Sequence, residues 1–530
     1  MSRKALFHYA YRRSADQDSR TSARHPVIVV GAGPVGLTAA IDLALRGIPV
    51  VLLDDADRIG EGSRGICYAK RSLEIWDRLG VGERLVELGV TWKLGKVYLG
   101  DALAYSFDLL PEAGHKMPAF INLQQYLLEK ALVDHAADIR GIDLRWKNKV
   151  VGLEQHNDCV LLTIETPDGS YRIEADWVIA ADGARSTVRE LLGLAFAGIG
   201  FDEKFLIADI RMSADFPTQR RFWFDPPFHS GQSALMHRQP DNVWRIDLQL
   251  GSDADVEEEQ QAERVIPRLK RMLGDRAFEL EWISIYRFDC RRLDRFVHGR
   301  VIFAGDSAHQ VSPFGARGGN SGVQDAENIA WKLAAVLAGE AEPHLIESYN
   351  TERIQAADEN IGHSTRSTDF IAPRSAAERE LRNAVLALAP EAEFARRMVN
   401  SGRLSIATTY ESPLSTPDAD DFAGVARLGA PMPDAPVRTA DNRKGFLLEQ
   451  LSSGFEVLYV KNGAPPERLP GASIRIIGKD LFDDTGLLQR RLDTSPGTTY
   501  LLRPDQHLCA RWRRYDRDNL AAALKRARGH

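Results

Sequence analysis

Cysteine is scarce in this chain. Four cysteines, Cys67, Cys159, Cys290 and Cys509, stand far apart among 530 residues, and none forms a CxxC pair. That excludes a disulfide framework, a cysteine-type zinc site and thiol–disulfide chemistry, and it fits a reducing, cytoplasmic compartment. No metal site is expected. A basic excess is missing too: 68 Lys and Arg against 74 Asp and Glu leave a net charge of −6, so nothing drives binding to nucleic acid. Long uninterrupted apolar runs are lacking as well. The most hydrophobic stretch, 26–53, is broken by Gly31, Gly33, Gly36, Asp42, Arg46 and Pro49, which a bilayer span tolerates badly, so no membrane association is expected. The N-terminus is basic but has no apolar core, so it does not read as a signal peptide. No internal repeat at a fixed period stands out.

What is present is ordinary globular composition, 44% hydrophobic and 27% charged. The length predicts about three domains, at roughly 100–200 residues each. Residues 1–25 are polar and read as a lead-in. From Pro26 short β-branched runs alternate with amphipathic helical stretches. Val27–Val30 and Val50–Leu53 suit buried parallel strands, with a helix over 37–46 between them. Strands follow at 150–154, 159–165, 171–175 and 177–180, the first three separated by hairpin-like turns. Residues 200–290 alternate like a sheet with one ligand-facing side, interrupted by one amphipathic helix near 253–273. A strand at 300–304, a Gly-rich loop and a long helix ending near Gly339 follow. Residues 345–405 read as helical, 406–440 as a Pro- and Asp-rich linker, and 441–530 as a small module of short strands and a last helix.

The strongest motif is Gly31-Ala-Gly33-Pro34-Val-Gly36, after a strand and at the start of a helix. Gly31 permits the tight turn, Gly33 lets backbone amides approach a pyrophosphate, and Gly36 lets helix and strand pack closely. The helix N-terminus adds partial positive charge. Asp54, at the end of the second strand, is placed to hold ribose hydroxyls. An acid there fits NAD or FAD, without a 2′-phosphate.

Two further segments each follow a strand: Ala181-Asp182-Gly183-Ala-Arg185-Ser186, and Ala304-Gly305-Asp306-Ser-Ala-His309 running on to Pro313-Phe-Gly-Ala-Arg-Gly318-Gly319-Asn320. With the first motif they resemble the three fingerprints of single-component FAD-dependent aromatic hydroxylases, over roughly residues 26–405. Leu123–Tyr126, Trp244–Asp247 and Pro313–Gly322 look like the branch of 3-(3-hydroxyphenyl)propionate and pentachlorophenol hydroxylases. Leu501–Trp512 resembles the closing hairpin of that branch's thioredoxin-like domain, with Gln506 where the usual turn has Gly.

The resemblance implies an α/β fold: a Rossmann-like FAD-binding domain over 26–199 and 291–405, an inserted substrate sheet over 200–290 as in para-hydroxybenzoate hydroxylase, and a thioredoxin-like domain over 441–530. It implies tightly bound, non-covalent FAD, with NAD(P)H and O2 as co-substrates and a homodimer as the assembly. The expected reaction is hydroxylation of a phenolic or related aromatic compound through a flavin C4a-hydroperoxide. A larger polycyclic or polyketide-like substrate is the alternative, and a non-catalytic flavin-binding protein a more distant one. No halogenase-type WxWxIP segment occurs.

By pattern Arg64 matches the family arginine along the pyrophosphate, Gln125 the family glutamine near the cofactor, with Gln124 competing, and Pro313 the proline against the ring. Asp182 either caps a turn or also serves the cofactors. Asp306, at a strand end, suits a ribityl hydroxyl. Gly305 precedes it in the motif, and amides at Gly318, Gly319 and Asn320, opening a helix near Ser321, suit the flavin pyrimidine edge. His309 reads as a structural loop histidine. The catalytic group is open: Arg245 and Asp247, on one face of a strand, are either a structural pair or part of the substrate site, and His229 and Tyr286 are further candidates.

Overall fold

The structure is a computed structural model that describes residues 7–19, 21–60, 65–399, 404–463 and 466–530. Its first sheet has eight strands. The parallel core runs Val301–Phe303, Gly169–Ala180, Ala23–Val30, Val50–Leu53, Ile142–Arg145. Val27–Val30 and Val50–Leu53 are buried throughout because both faces are covered. Gly169–Ala180 also carries an antiparallel excursion, Val160–Thr166 and Lys149–Gln155. The residues read as two strands, 171–175 and 177–180, form this single long one.

A second eight-stranded sheet runs His309–Gln310, Glu279–Arg292, Ala197–Arg211, Val243–Gln249, Ser233–Arg238, Arg220–Phe224, Leu94–Leu99, Ala102–Asp108. The last two strands come from outside 200–290. Alternation gives the sheet two apolar faces. Trp244, Ile246 and Leu248 pack on Val265, Leu269 and Leu273 of the helix Ala262–Leu273. Phe205, Phe222, Leu235 and Phe288 face the other way and meet Phe314. The helix expected over 253–273 is two helices, Val256–Glu259 and Ala262–Leu273.

A three-stranded sheet, Cys67–Ala69, Phe120–Asn122, Val90–Trp92, joins these bodies. A seven-stranded sheet closes the chain, with Phe455–Val460 parallel to Ala472–Ile477 and antiparallel to Thr499–Leu502, which forms a hairpin with Leu508–Trp512.

Two segments are more integral than their composition suggests. The polar lead-in docks: Tyr9 stacks on Trp146 at 4.6 Å and Asp16 pairs with His25 at 2.8 Å and Arg145 at 2.6 Å, and the first strand already begins at Ala23. Segment 406–440, read as a linker, buries Tyr410, Leu414, Ala426, Met432 and Ala435. Among the described residues, no helix is long and apolar enough to cross a membrane, and no cluster of His, Cys, Asp or Glu fits a metal ion.

Candidate functional site

Two helix N-termini converge at the C-terminal edge of the parallel sheet. The helix Pro34–Leu45 starts from Gly33 as its N-cap. The helix Gly318–Leu337 starts at Gly318, three residues ahead of Ser321, where its start was expected. Glycines make the convergence possible. Gly31, at φ +102°, leaves room for Ala181: a Cβ there would lie 2.5 Å from the Ala181 carbonyl oxygen. A Cβ on Gly36 would fall on the Gly31 carbonyl, and one on Gly322 would lie 2.6 Å from Val35 Cγ2 and 3.1 Å from Gly305 Cα. Gly33 and Gly319 differ: a Cβ on either meets nothing within 4 Å. Pro313, Asp306 and Gly319 are exposed beside these two helix N-termini, so they line an open groove. Although Asp306 is open to the groove, the protein packed around it partly desolvates its carboxyl and raises its pKa, with His309 opposing and Asp325 adding. Tight packing behind an open, amide-lined groove fits a dinucleotide in extended form.

Other expected cofactor residues are placed differently. Asp54 accepts amide hydrogen bonds from Ala32 at 2.7 Å and Ala56 at 2.9 Å, one on each oxygen, and burial pushes its pKa up to about 6. Both of its oxygens thus help shape the turn. Gln125 is spent on protein: it accepts from the Gly65 amide at 3.0 Å and donates to Glu129 at 2.8 Å. Its competitor Gln124 is buried with Oε1 unpartnered. Asp182 accepts from the Val188 amide at 3.0 Å, its other oxygen is buried without a partner, and desolvation raises its pKa. The Asn320 side chain does not face the groove. It accepts from the Ala69 amide and Ser72 Oγ and donates to the Cys67 and Ala316 carbonyls, so only its backbone amide remains for a cofactor. Arg64 lies outside the described residues. His309 is buried against Asp325 at 2.7 Å.

Next to this helix N-terminus is a buried polar cluster. Strand register builds it: His237, Arg245 and Asp209 occupy one cross-strand row, and Leu235, Asp247 and Ile207 the next. Arg245 Nε donates to Asp209 Oδ1 at 3.2 Å and stands 4.0 Å from Asp247 Oδ1. Its nearer partner is therefore on the neighbouring strand. Asp247 Oδ1 accepts no hydrogen bond. Desolvation pushes the Asp247 pKa up to about 6, against the pull of Arg245 and Arg220. Burial raises Tyr286 well above its ordinary value, with Asp247 adding, and drives His237 well below its own, with Arg220 and Arg245 adding. Cys67 Sγ meets Asn122 Oδ1 at 3.2 Å, while the Cys67 carbonyl is held by Asn320 at 3.0 Å. This ties the cluster to the groove.

His229 is not part of the cluster. Its ring donates to the Gln249 carbonyl at 2.6 Å, and Arg268, Arg271 and Glu259 of the helical cover surround it. Arg220, His237 and Asp209 were missed from sequence. For Arg220 a signal existed, since alternation over 220–224 puts it on the face of Phe222 and Phe224.

Fold and groove define a dinucleotide-binding α/β protein with an inserted β-sheet body. Residues 24–364 match the family described as FAD binding domain. A flavin-dependent monooxygenase of Mycobacteroides abscessus is 32% identical over 371 residues, covering 64% of this chain and 73% of the relative. The 6-methylpretetramide 4-monooxygenase of Streptomyces rimosus is 30% identical over 533 residues, covering 94% and 93%. The crystal structure of the flavin-dependent monooxygenase PieE with FAD and substrate superposes with a TM-score of 0.80 at 22% identity, over 96% of this chain and 99% of the other, and shares its fold. The chain belongs to the FAD binding domain family and is a flavoprotein monooxygenase.

Proposed function

We propose that this monooxygenase hydroxylates a phenolic or related aromatic substrate, with NAD(P)H and O2 as co-substrates, and that the substrate sits between the polar cluster and the groove. The observation that carries the reading is Asp247: a half-buried carboxylate whose Oδ1 is shielded from solvent and unpartnered, on the sheet face whose Phe205 and Phe288 meet Phe314 of the groove loop at 4.9 and 5.6 Å. Gly31, Gly33, Pro34, Gly36, Asp54, Asp182, Gly305, Asp306, Pro313 and the amides of Gly318–Asn320 would hold FAD. Bound FAD supplies the redox chemistry, activation of O2 at the expense of a nicotinamide reductant.

The chain's own residues prepare the other reactant. Asp247 takes the proton of a phenolic hydroxyl at Oδ1, which makes the ring more electron-rich. Arg245, held by Asp209, keeps Asp247 ionised and oriented. Phe205, Phe222, Phe288 and Phe314 exclude water. The first-turn amides of Gly318–Leu337 would hold the pyrimidine edge of a bound flavin and supply partial positive charge there.

A polycyclic, polyketide-like substrate is the second reading, favoured by the near full-length match to a relative named for a pretetramide. The last domain is read as thioredoxin-like: a parallel pair, an antiparallel hairpin and a closing helix, Arg517–Ala527. Without CxxC its role is structural. A homodimer and a cytoplasmic location complete the reading.

Anaerobic stopped-flow reduction by NADH and NADPH, with phenols, hydroxyphenylpropionates and polycyclic phenols offered singly, tests it. Acceleration of flavin reduction by a phenol class supports the first reading, and acceleration by polycyclic phenols alone supports the second. No reduction under any condition overturns both.

A further inference from the structure

Beneath the groove, and facing none of it, lies a buried charged chain. Asp325 Oδ2 accepts the Gly305 amide at 2.9 Å and meets His309 Nε2 at 2.7 Å. Its other oxygen accepts from Arg353 Nε at 2.5 Å. Arg353 reaches on to the first turn of the helix Gly318–Leu337, donating to Ser321 O at 3.1 Å and Ser321 Oγ at 2.8 Å, and it donates to Tyr410 Oη at 2.7 Å. Asp325 and Arg353 are wholly buried. The preceding residue, Glu352, is gripped by a different set: Lys332 Nζ at 2.8 Å, Asn328 Nδ2 at 2.7 Å, and both terminal nitrogens of Arg503 at 2.5 and 3.2 Å. Arg503 belongs to the turn of the C-terminal hairpin, where Asp505 also accepts from Trp331 Nε1 at 3.0 Å.

We propose that Arg353 and Asp325 are positioning residues for the flavin: a strut that fixes the spacing between the Gly305–Asp306 turn and the N-terminus of the helix Gly318–Leu337, with the C-terminal hairpin holding the strut through Glu352. The two segments it joins are those whose open faces form one side of the groove. A buried ion pair is a poor device for stability alone, since apolar residues of similar volume do as well or better. What Arg353 adds is direction, because a planar guanidinium donates along several fixed lines at once. Lysine in its place keeps the charge and loses that geometry.

The proposal rests on FAD occupying this groove, and its test separates the two. Apoprotein of Asp325→Asn, Arg353→Lys, Ser321→Ala, Arg503→Met and Gly33→Val is titrated with FAD by fluorescence, and the midpoint potential of the reconstituted flavin is measured alongside thermal unfolding. Asp325→Asn and Arg353→Lys are expected to weaken FAD binding about tenfold, the scale on which outer-shell partners act, and to shift the potential. Arg503→Met is expected to move both in the same direction by less. Should the buried-charge variants not fold, Ser321→Ala decides: it removes one hydroxyl, and it is expected to weaken FAD binding measurably and shift the potential. Folded variants with a lowered Tm but parental FAD affinity and potential would overturn the strut. Parental FAD affinity in Gly33→Val would overturn the groove assignment itself, and the strut with it.

Discussion

At the scale of single residues, two positions carry tests whose signs differ from what substitution at a buried motif ordinarily gives. Gly33 faces open space in the protein, so Gly33→Val is expected to abolish FAD retention while leaving secondary structure unchanged and the Tm equal to that of the parental apoprotein, because loss of a bound ligand by itself lowers the Tm of the holoprotein. The visible spectrum of the purified protein and its circular dichroism report both. Asp247 is the second. Its folded pKa of about 6 lies above the ordinary carboxylate value of about 3.9. The native state therefore binds the proton more tightly than the unfolded chain. The stability this contributes is complete below pH ~4 and is lost as pH rises to about 6. At pH 7 Asp247→Asn is expected to be more stable than the parent by about 1–3 kcal/mol, with the gap closing near pH 4. Denaturant titrations at both pH values measure this. The same substitution is expected to lower kcat about a hundredfold and to remove the fall in kcat/KM below pH ~6, if Asp247 is the base. A stabler protein with parental turnover would show that Asp247 only packs.

The elements meet through absent side chains. Helices Pro34–Leu45 and Gly318–Leu337 touch where Gly322, Gly305 and Val35 crowd one another. Gly322→Ala is expected to overpack this contact and cost about 1–3 kcal/mol, and Val35→Ala in the same chain to recover part of that loss, read from Tm shifts. The first βαβ unit was legible in the sequence because its determinants are local: two β-branched runs, a turn that needs glycine, and an acid at the second strand's end. The polar cluster was much less so. His237, Arg245 and Asp209 come from three strands and share a row only through register, which no local pattern states. Arg245 and Asp247 were noticed because they alternate on one strand, yet the partner nearest Arg245, Asp209, lies on another. His229 carried the same chemical promise and sits on the opposite side of the sheet. Gln125 matched a pattern, but folding spends its side chain on the Gly65 amide and on Glu129, and the first of these partners lies in a loop distant in sequence.

Across the whole molecule, the C-terminal sheet is bound to the first domain by buried charge as well as apolar contact. Lys332 and Glu352 are wholly buried and depend on Arg503. Deleting 424–530 would leave Glu352 facing Lys332 without Arg503 and would strip Trp331 of its apolar cover. Removing one partner from such a network costs about 3–5 kcal/mol, comparable with the stability of a typical domain. The truncated chain is therefore expected to aggregate or lose FAD. A truncation that stays yellow and changes only its light-scattering mass would instead mark the module as a separable dimerisation unit.

The sequence by itself determined the class of this protein. Glycines that permit close backbone approach, an acid at a strand end and three motifs in order are written in adjacent residues, and adjacency is what a sequence records. Tertiary structure alone decided which side chains remain free for chemistry. Whether a half-buried carboxylate is capped by a neighbouring amide, as at Asp54, or keeps an unpartnered oxygen, as at Asp247, depends on which strands and helices pack against it, as do the desolvation and the charges that set its pKa.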